Sequence, residues 1–219
     1  MCNLYSQTRS RNEVIRMFGV ADNRAAAFDP QPAIFPRGQA PVIRPAEDGE
    51  RELVVMTWGF PLLRAGYAPK PVTNVCDDKV LKSSFWRPSF EARRCLVPAS
   101  SYCEPNGESP ATWFWFALKG EGERPLFAFP GIWRRYCGPL KKDGEPVEVD
   151  VYAFMTTEPN ALTRSINHER MPVLLAGEEA CETWLKGTPE EAYALARSFD
   201  PEHMRIVQSG TDKKDLLAA

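Results

Sequence analysis

The sequence predicts an α+β fold, a strand-rich single domain with a barrel-like mixed β-sheet core and a few peripheral helices. Seven short runs are rich in β-branched and aromatic residues, and the few helical patterns do not alternate regularly with them. The 219 residues, 43% of them hydrophobic, suffice for one large core, so we expect a single domain over residues 1–219. The predicted strands cover residues 52–58, 94–98, 112–118, 125–133, 149–157, 171–175 and 204–208.

Capping signals predict three helices. In the first, Ser10 and Glu13 form a capping box ahead of an apolar stripe, and Gly19 ends the pattern. Two later helices carry similar signals and lie between the last two predicted strands. The predicted helices cover residues 10–18, 178–186 and 189–198.

Three segments lack a regular pattern. Residues 29–45 contain five prolines, which predicts an irregular surface loop because proline continues neither a helix nor a central strand. Residues 138–148 are expected to form a hairpin loop. Residues 210–219 are expected to form a frayed tail.

Composition excludes several classes of protein. A net charge of −2 and a pI of about 5.8 argue against a protein that coats duplex DNA through bulk positive charge. The sequence has neither a long apolar run nor a signal peptide, so we expect a cytoplasmic protein with no membrane partner. The six cysteines are expected to be free thiols. No pair of cysteines or histidines has the spacing of metal ligands, so we expect no metal site.

A local basic segment lies between residues 79 and 94. Basic residues interleaved with aromatic rings are typical of a groove that binds single-stranded nucleic acid. A solvated segment whose rings anchor it to the core has the same composition, so both interpretations stay open. The basic residues are Lys79, Lys82, Arg87, Arg93 and Arg94, and the rings are Phe85, Trp86 and Phe90.

Cys2 follows the initiator methionine, and its small side chain favours removal of Met1. The exposed terminus would carry an amine and a thiol on adjacent carbons, a pair that condenses with an aldehyde and closes to a thiazolidine ring. A free α-amino group has a pKa of about 7.7–8.0, so a useful fraction is nucleophilic at neutral pH. The alternative is that a cysteine stands at a frayed terminus by accident.

Three other polar side chains stand beside apolar segments. His168 precedes an apolar run, Glu104 follows one in the stretch SSYCEP, and Asn74 ends the proline-rich stretch PKPVTN. A turn at Glu104 would present its carboxylate into a pocket. Taken singly, each of the three is also compatible with a purely structural role.

Seven motifs follow one another along nearly the whole chain. They are the N-terminal Met-Cys, WGF at 58–60, PVTN at 71–74, RRCLVPASSYCE at 93–104, LFAFPGIW at 126–133, TTEPN at 156–160 and HERMPVLL at 168–175. In this combination the sequence resembles the SRAP family, the SOS-response-associated peptidase or abasic-site-processing proteins.

The resemblance implies a covalent trap for abasic sites in single-stranded DNA that protects the lesion during the DNA damage response. Cys2 corresponds to the residue that forms a thiazolidine crosslink with the ring-opened sugar. Asn74 corresponds to the residue that orients the amine, Glu104 to the acid/base, and His168 to the residue that assists ring opening. We expect a monomer without cofactor or metal. The expected DNA contacts are Arg170, Arg93, Lys79, Lys82, Pro41, Trp58 and Thr157.

The chemistry places demands on these residues. Abasic deoxyribose is mostly a closed hemiacetal, so a proton must leave the anomeric hydroxyl and another must reach the ring oxygen. Histidine exchanges protons near neutral pH, whereas a glutamate acts as an acid there only in an enclosed site. The sequence therefore predicts a partly enclosed pocket around Glu104.

The chain departs from the usual family pattern at three places. Asn3 and Leu4 follow Cys2 where the family commonly has Gly-Arg, and Pro105 stands where it commonly has Trp. Asp77 replaces an arginine expected to face DNA. These differences predict fewer phosphate contacts but leave the condensation chemistry intact.

Two other functions compete with a covalent trap. A cysteine peptidase would use Cys2 against a peptide carbonyl with help from His168 or Glu104, and its activity would include self-removal of Met1. The sequence has no Gly-rich oxyanion segment beside Cys2, which weakens that interpretation. A non-catalytic single-strand-binding module would not depend on Cys2.

Overall fold

A computed structural model describes residues 2–120 and 124–216. The strands are β1 (Tyr5–Gln7), β2 (Gln31–Ile34), β3 (Gln39–Pro45), β4 (Arg51–Trp58), β5 (Phe60–Leu62), β6 (Lys70–Val72), β7 (Asn74–Cys76), β8 (Arg94–Ala99), β9 (Ser101–Pro105), β10 (Trp113–Leu118), β11 (Phe127–Gly138), β12 (Val147–Thr157), β13 (Met171–Pro172) and β14 (Met204–Gly210). The α-helices are α1 (Arg11–Met17), α2 (Asp77–Val80), α3 (Arg87–Ala92), α4 (Ala161–Arg164), α5 (Glu178–Lys186) and α6 (Pro189–Ala194).

Five strands close into a small barrel. The order β11-β8-β3-β4-β12 returns to its start because β11 also pairs with β12. The sheet is mixed, since β12 runs parallel to β4 while the other neighbours are antiparallel. β7 and β13 pair with the far end of β12. The predicted α+β fold with a barrel-like mixed core is confirmed.

A second, antiparallel sheet carries the N-terminal strand. Its order is β14-β10-β9-β1-β2, with Tyr5 opposite Tyr102 and Ser6 opposite Ser101. The ring of Tyr5 meets Trp58 and Phe129 edge to face, with centroids 5.1 and 5.4 Å away. These buried contacts fix β1 against the barrel and so place the residues that precede it.

The predicted helices are largely confirmed. α1 begins after the capping box formed by Ser10 and Glu13, and α5 has the predicted bounds. α6 begins as predicted but ends at Ala194 instead of residue 198. Six of the seven predicted strands are present with differences at their ends, whereas only Met171–Pro172 of the strand predicted for residues 171–175 forms one. The segment predicted as a hairpin loop, residues 138–148, connects the antiparallel pair β11 and β12.

The loop predicted for residues 29–45 is wrong, because this segment forms β2 and β3. β3 pairs with β4 along its whole length, whereas its other edge meets β8 where Ile43 lies opposite Leu96. Proline lacks an N–H, but where that N–H would face an unpaired edge no hydrogen bond of the sheet is lost. The prolines of this segment are therefore compatible with a strand. The segments around Asn74 and Glu104 are also strands and not turns.

The frayed tail predicted for residues 210–219 is also corrected by the structure. Gly210 ends β14, and Asp215 is buried, with only 3% of its surface exposed. Residues 217–219 lie outside the described part of the chain.

Two further sequence expectations concern membranes and thiols. Among the described residues, the helices are all too short or too polar to cross a membrane. Each of the six cysteines lies in the described residues and is a free thiol. Within residues 2–120 and 124–216, no group of three or more His, Cys, Asp or Glu side chains is arranged so that it could bind a metal ion.

Candidate active site

The pairing of β1 with β9 brings the N-terminal residues beside Glu104. Tyr5 lies opposite Tyr102 in this pairing. At the next position, the amide of Cys103 donates to the carbonyl of Leu4 over 2.9 Å. One more step in this register places Asn3 opposite Glu104. Alternate residues of a strand share a face, so Glu104 points to the same side as Tyr102, whose ring packs in the buried cluster that includes Cys2.

Cys2 is enclosed, with 1% of its surface exposed. Its thiol donates a weak hydrogen bond to the carbonyl of Leu4 over 3.5 Å. Burial, and then the nearby carboxylate of Glu104, raise the pKa of the Cys2 thiol well above its ordinary value. At neutral pH the sulfur therefore carries its proton.

Asn74, the first residue of β7, holds the backbone of Cys2. Its Nδ2 donates to the carbonyl of Cys2 over 2.8 Å and to Oγ1 of Thr73 over 2.7 Å. The hydroxyl of Thr73 in turn donates to Oδ1 of Asn3 over 3.2 Å. Because a carbonyl only accepts, these contacts assign the amide orientation.

The same orientation leaves Oδ1 of Asn74 buried without a hydrogen-bond partner among the described residues. A buried acceptor without a partner costs free energy, about 1–3 kcal/mol. The oxygen lies on the residue that holds Cys2, so it can accept a hydrogen bond from a donor that arrives there.

Glu104 and His168 form a close pair in the same enclosure. Nε2 of His168 lies 3.1 Å from Oε2 of Glu104, whose side chain is 1% exposed. Nδ1 of His168 lies 3.2 Å from the carbonyl of Pro105. Within the described residues, neither carboxylate oxygen of Glu104 makes a well-aligned hydrogen bond, the 3.1 Å approach of Nε2 of His168 included. The sequence predicts a partly enclosed pocket around Glu104, and the structure shows that this side chain is buried.

The contacts of His168 determine where a proton sits. The carbonyl of Pro105 can only accept, so Nδ1 of His168 carries a hydrogen. Nε2 lies 3.1 Å from Oε2 of Glu104, a distance over which the two groups can exchange a proton. The pair can therefore deliver a proton to a group in the pocket or take one up.

Two predicted nucleic-acid contacts are contradicted by burial. Trp58 is fully buried, donates from Nε1 to the carbonyl of Thr73 over 3.3 Å and stacks on Phe154. Pro41 is a buried residue of β3 and lies opposite Val55 in the barrel wall. Neither side chain reaches the surface, so neither can stack on a base in this structure.

Arg170 and Thr157 are engaged by Asp77. Nη2 of Arg170 donates to Oδ1 of Asp77 over 2.7 Å and to the carbonyl of Thr156 over 2.6 Å. The hydroxyl of Thr157, a buried residue, donates to Oδ2 of Asp77 over 2.6 Å. Burial alone would raise the pKa of Asp77, but the hydrogen bonds from Thr157 and Arg170 outweigh it and lower that pKa. The carboxylate is therefore charged at neutral pH.

The basic segment over residues 79–94 divides into two parts. Lys79 and Lys82 are exposed on and just after α2. Arg93 donates to the carbonyl of Trp133 over 3.2 Å and directly precedes β8. Glu104 follows the opposite end of β8, so Arg93 and Glu104 are separated by the length of this strand. Trp86 and Phe90 are buried, so their rings anchor the segment to the core and do not line a groove.

The sequence did not single out Thr73 and Asn3 as members of the site. It also missed the exposed residues Arg64, Tyr67 and Lys70 of the β5–β6 hairpin, which leads through β6 to Thr73. Together with Phe35 and Arg37 of the turn between β2 and β3, which Arg37 joins to the hairpin by donating to the carbonyl of Pro69, they form what we call the hairpin surface. The basic and aromatic residues of RAGYAPK at 64–70 were a signal that could have revealed it.

A sequence model described as SOS response associated peptidase (SRAP) matches residues 1–212. The abasic site processing protein YoqW of Bacillus subtilis is 34% identical over 130 residues, which are 58% of this chain and 54% of YoqW. The chain thus spans about half the length of that relative. The abasic site processing protein YoaM of Bacillus subtilis is 25% identical over 214 residues, 95% of this chain and 90% of YoaM.

Solved structures share the fold. A protein of Bordetella bronchiseptica superposes with a TM-score of 0.74 at 21% identity, covering 95% of this chain and 98% of that one. A protein of Bacteroides thetaiotaomicron superposes with a TM-score of 0.71 at 24% identity, covering 95% and 90%.

Proposed function

Because the chain belongs to the SOS response associated peptidase (SRAP) family, we propose that it processes abasic sites in single-stranded DNA by forming a covalent adduct through Cys2. Relatives named abasic site processing proteins support the substrate. The observation that carries the proposal is the enclosure in which Cys2, Asn74, Glu104 and His168 meet.

The reaction requires two new bonds to one carbon. Hydrolysis of the bond between Met1 and Cys2 first frees the α-amine of Cys2. That amine adds to the aldehyde carbon of the ring-opened sugar, and the carbinolamine loses water to give an imine. Sγ of Cys2 then adds to the imine carbon while the thiol proton passes to nitrogen, which closes a thiazolidine. Protein and DNA together lose one water, so the balance needs no redox partner.

Asn74 orients the attacking amine in this scheme. It holds the carbonyl of Cys2 through Nδ2, and its buried Oδ1 lacks a partner among the described residues. An amine that donates an N–H to Oδ1 of Asn74 turns its lone pair away from this oxygen, so that the lone pair can face the incoming aldehyde. Fixing the nucleophile in this way accounts for part of the rate through effective molarity.

Glu104 and His168 move the protons. Ring opening needs a base at the anomeric hydroxyl and an acid at the ring oxygen, and dehydration needs an acid at the departing hydroxyl. A proton passed between Nε2 of His168 and Oε2 of Glu104, which lie 3.1 Å apart, would serve the acid steps. Nδ1 stays bonded to the carbonyl of Pro105, which keeps the imidazole in one orientation.

The state of the thiol favours this order of steps over peptidase chemistry. A cysteine peptidase attacks with a thiolate, usually activated by a lowered pKa. Burial, and then the carboxylate of Glu104, raise the pKa of the Cys2 thiol, which opposes formation of a thiolate. A protonated thiol can still add to an imine, because the imine nitrogen accepts its proton.

The hairpin surface is suited to bind the flanking single strand. Tyr67 is 65% exposed and Phe35 is 45% exposed, so their rings are open to bases. Arg64 packs over the ring of Tyr67, with 4.8 Å from Cζ to the ring centroid. Arg37 donates to the carbonyl of Pro69 over 2.8 Å and lines a cleft of about 290 Å³ between the hairpin and β4. Exposed rings beside basic groups bind single strands by stacking and charge.

Replacing Tyr67 with alanine is expected to weaken binding of an undamaged single-stranded oligonucleotide about tenfold, because one stacked base loses its ring. Tyr67→Phe keeps the ring and is expected to bind like the wild type. Fluorescence anisotropy at one fixed salt concentration measures both. Equal affinities for the alanine variant and the wild type would mean that Tyr67 does not contact the bound DNA strand.

Replacing Asp77 with asparagine is expected to raise single-strand affinity about threefold, since Asp77 no longer neutralises Arg170. The same titration at several salt concentrations should show a steeper dependence, by about 0.7 in the log–log slope for one added phosphate contact. Asp78→Asn is the matched control, because Asp78 is exposed and the charge change is identical. An equal gain in both variants would mean that only net charge matters.

The proposal is tested on a denaturing gel. Protein from which Met1 has been removed, verified by mass, is incubated with a single-stranded oligonucleotide that carries one abasic site. A heat-stable band of lower mobility is expected with this oligonucleotide and not with an undamaged strand of the same sequence. A verified protein that gives no such band would overturn the proposed reaction.

A further inference from the structure

The last described residues form a strap across the second sheet. This strap, residues 211–216, contacts all five strands. The carbonyl of Asp212 accepts from Nε1 of Trp115 on β10, and Gln208 on β14 bonds the carbonyl of Lys214 and the amide of Leu216. The contacts to β1, β9 and β2 all come from Asp215.

Asp215 is the buried centre of the strap. Its Oδ2 accepts hydrogen bonds from Ser6 over 2.8 Å and from Ser101 over 2.6 Å, and its amide donates to the carbonyl of Pro32 over 2.8 Å. Its other carboxylate oxygen forms an ion pair with Arg124. A charged group this deeply buried is tolerated because Oδ2 accepts two hydrogen bonds and the carboxylate is paired with the guanidinium of Arg124.

The two serines that Asp215 binds belong to the strands that carry the candidate active site. Ser6 and Ser101 lie opposite each other in the β1–β9 ladder. Cys2 lies four residues before Ser6, and Glu104 lies three residues after Ser101. The carboxylate therefore joins β1 to β9 at the rung nearest to the strap, and the candidate site lies farther along the same ladder.

β1 needs such support because its own pairing is slight. It has three residues, pairs with β9 at Tyr5 and Ser6, and has an irregular register with β2 between Tyr5 and Gln7. A short strand of this kind slides or rotates more readily than a long one. A displacement of about 1 Å at reacting groups can cost a hundredfold in rate.

We infer that Asp215 is a positioning residue for the reaction at Cys2, since it locks β1 to β9 and thereby sets the placement of Cys2 against Glu104. This inference rests on the proposed function. Asp215 touches neither the thiol nor the carboxylate of the site and acts through Ser6 and Ser101.

The test compares Asp215→Asn with Asp212→Asn in the full chain. Both substitutions remove one negative charge from the strap, but Asp212 is exposed and contributes its carbonyl to the sheet. Asp215→Asn is expected to lower the first-order crosslinking rate at saturating abasic oligonucleotide at least tenfold. The final crosslinked fraction and the affinity for an undamaged strand are expected to stay within twofold of the control. A simple loss of folded protein would instead lower the crosslinked fraction. A rate equal to that of Asp212→Asn would overturn the inference.

Two further measurements keep the test decisive. If Asp215→Asn does not fold, Ser101→Ala removes one of its hydrogen bonds and is expected to slow crosslinking three- to fivefold; an unchanged rate would count against the inference. Hydrogen exchange at the amide of Cys103, which bonds the carbonyl of Leu4, reads the β1–β9 contact without any DNA. Hydrogen exchange at this amide should be faster in Asp215→Asn than in the wild type, even if the wild type forms no crosslink. The experiment therefore distinguishes failure of the proposed function from failure of the inference about Asp215.

Discussion

Replacing Cys2 with serine is expected to abolish the heat-stable adduct with abasic single-stranded DNA. The α-amine survives the substitution and can still form an imine, but an imine hydrolyses when the protein is denatured. Only sulfur on the adjacent carbon closes the ring that resists hydrolysis. Loss of the band should therefore be complete on a denaturing gel, while affinity for undamaged DNA is expected to remain within about twofold.

The matched control for this prediction is Cys137→Ser, because Cys137 is an exposed free thiol on β11. It should crosslink at the wild-type rate. A persistent adduct with Cys2→Ser, or its loss with Cys137→Ser, would place the nucleophile elsewhere and contradict the assignment to Cys2.

Replacing Glu104 with glutamine is expected to slow crosslinking at neutral pH about a hundredfold, the lower range for loss of a general acid or base. Glutamine has the size of glutamate and can still bond Nε2 of His168, so the pocket should keep its shape. It cannot release or take up a proton, which leaves ring opening and dehydration to solvent. The rate of band formation at saturating oligonucleotide measures the effect.

Glu108→Gln is the control, since Glu108 is exposed in the loop after β9. The Glu104→Gln protein should bind undamaged DNA normally and melt close to the wild type. A wild-type crosslinking rate in this variant would mean that protons reach the sugar by another route, and the pairing of Glu104 with His168 would then be structural.

The four residues of the candidate site could be identified from motif order, but not their arrangement. Sequence resemblance named Cys2, Asn74, Glu104 and His168 without indicating that Asn74 and Glu104 stand on strands. The strand β7 has three residues, and its stability depends on pairing with β12, which is distant in sequence. Local propensity carries no information about such partners.

Burial contradicts two of the predicted DNA contacts, Trp58 and Pro41, for a related reason. Trp58 belongs to a motif, yet motif membership does not distinguish a buried anchor from an exposed contact. The sequence predicts fewer phosphate contacts because Asp77 replaces an arginine, but it does not indicate that Asp77 binds Arg170 and Thr157. The position of residues 210–219 at the end of the sequence predicts a frayed tail, but Asp215 has partners on strands that lie more than a hundred residues earlier.

The chemical nature of the adduct tests the central claim most directly. Wild-type protein is crosslinked to the abasic oligonucleotide, treated with borohydride and a thiol-alkylating reagent, and then analysed by mass spectrometry of its N-terminal peptide. A thiazolidine predicts the mass of the Met1-free peptide plus the DNA minus one water, with neither reduction by borohydride nor alkylation of Cys2. A reduced adduct whose Cys2 is alkylated would identify an imine with a free thiol and would contradict the proposed ring closure.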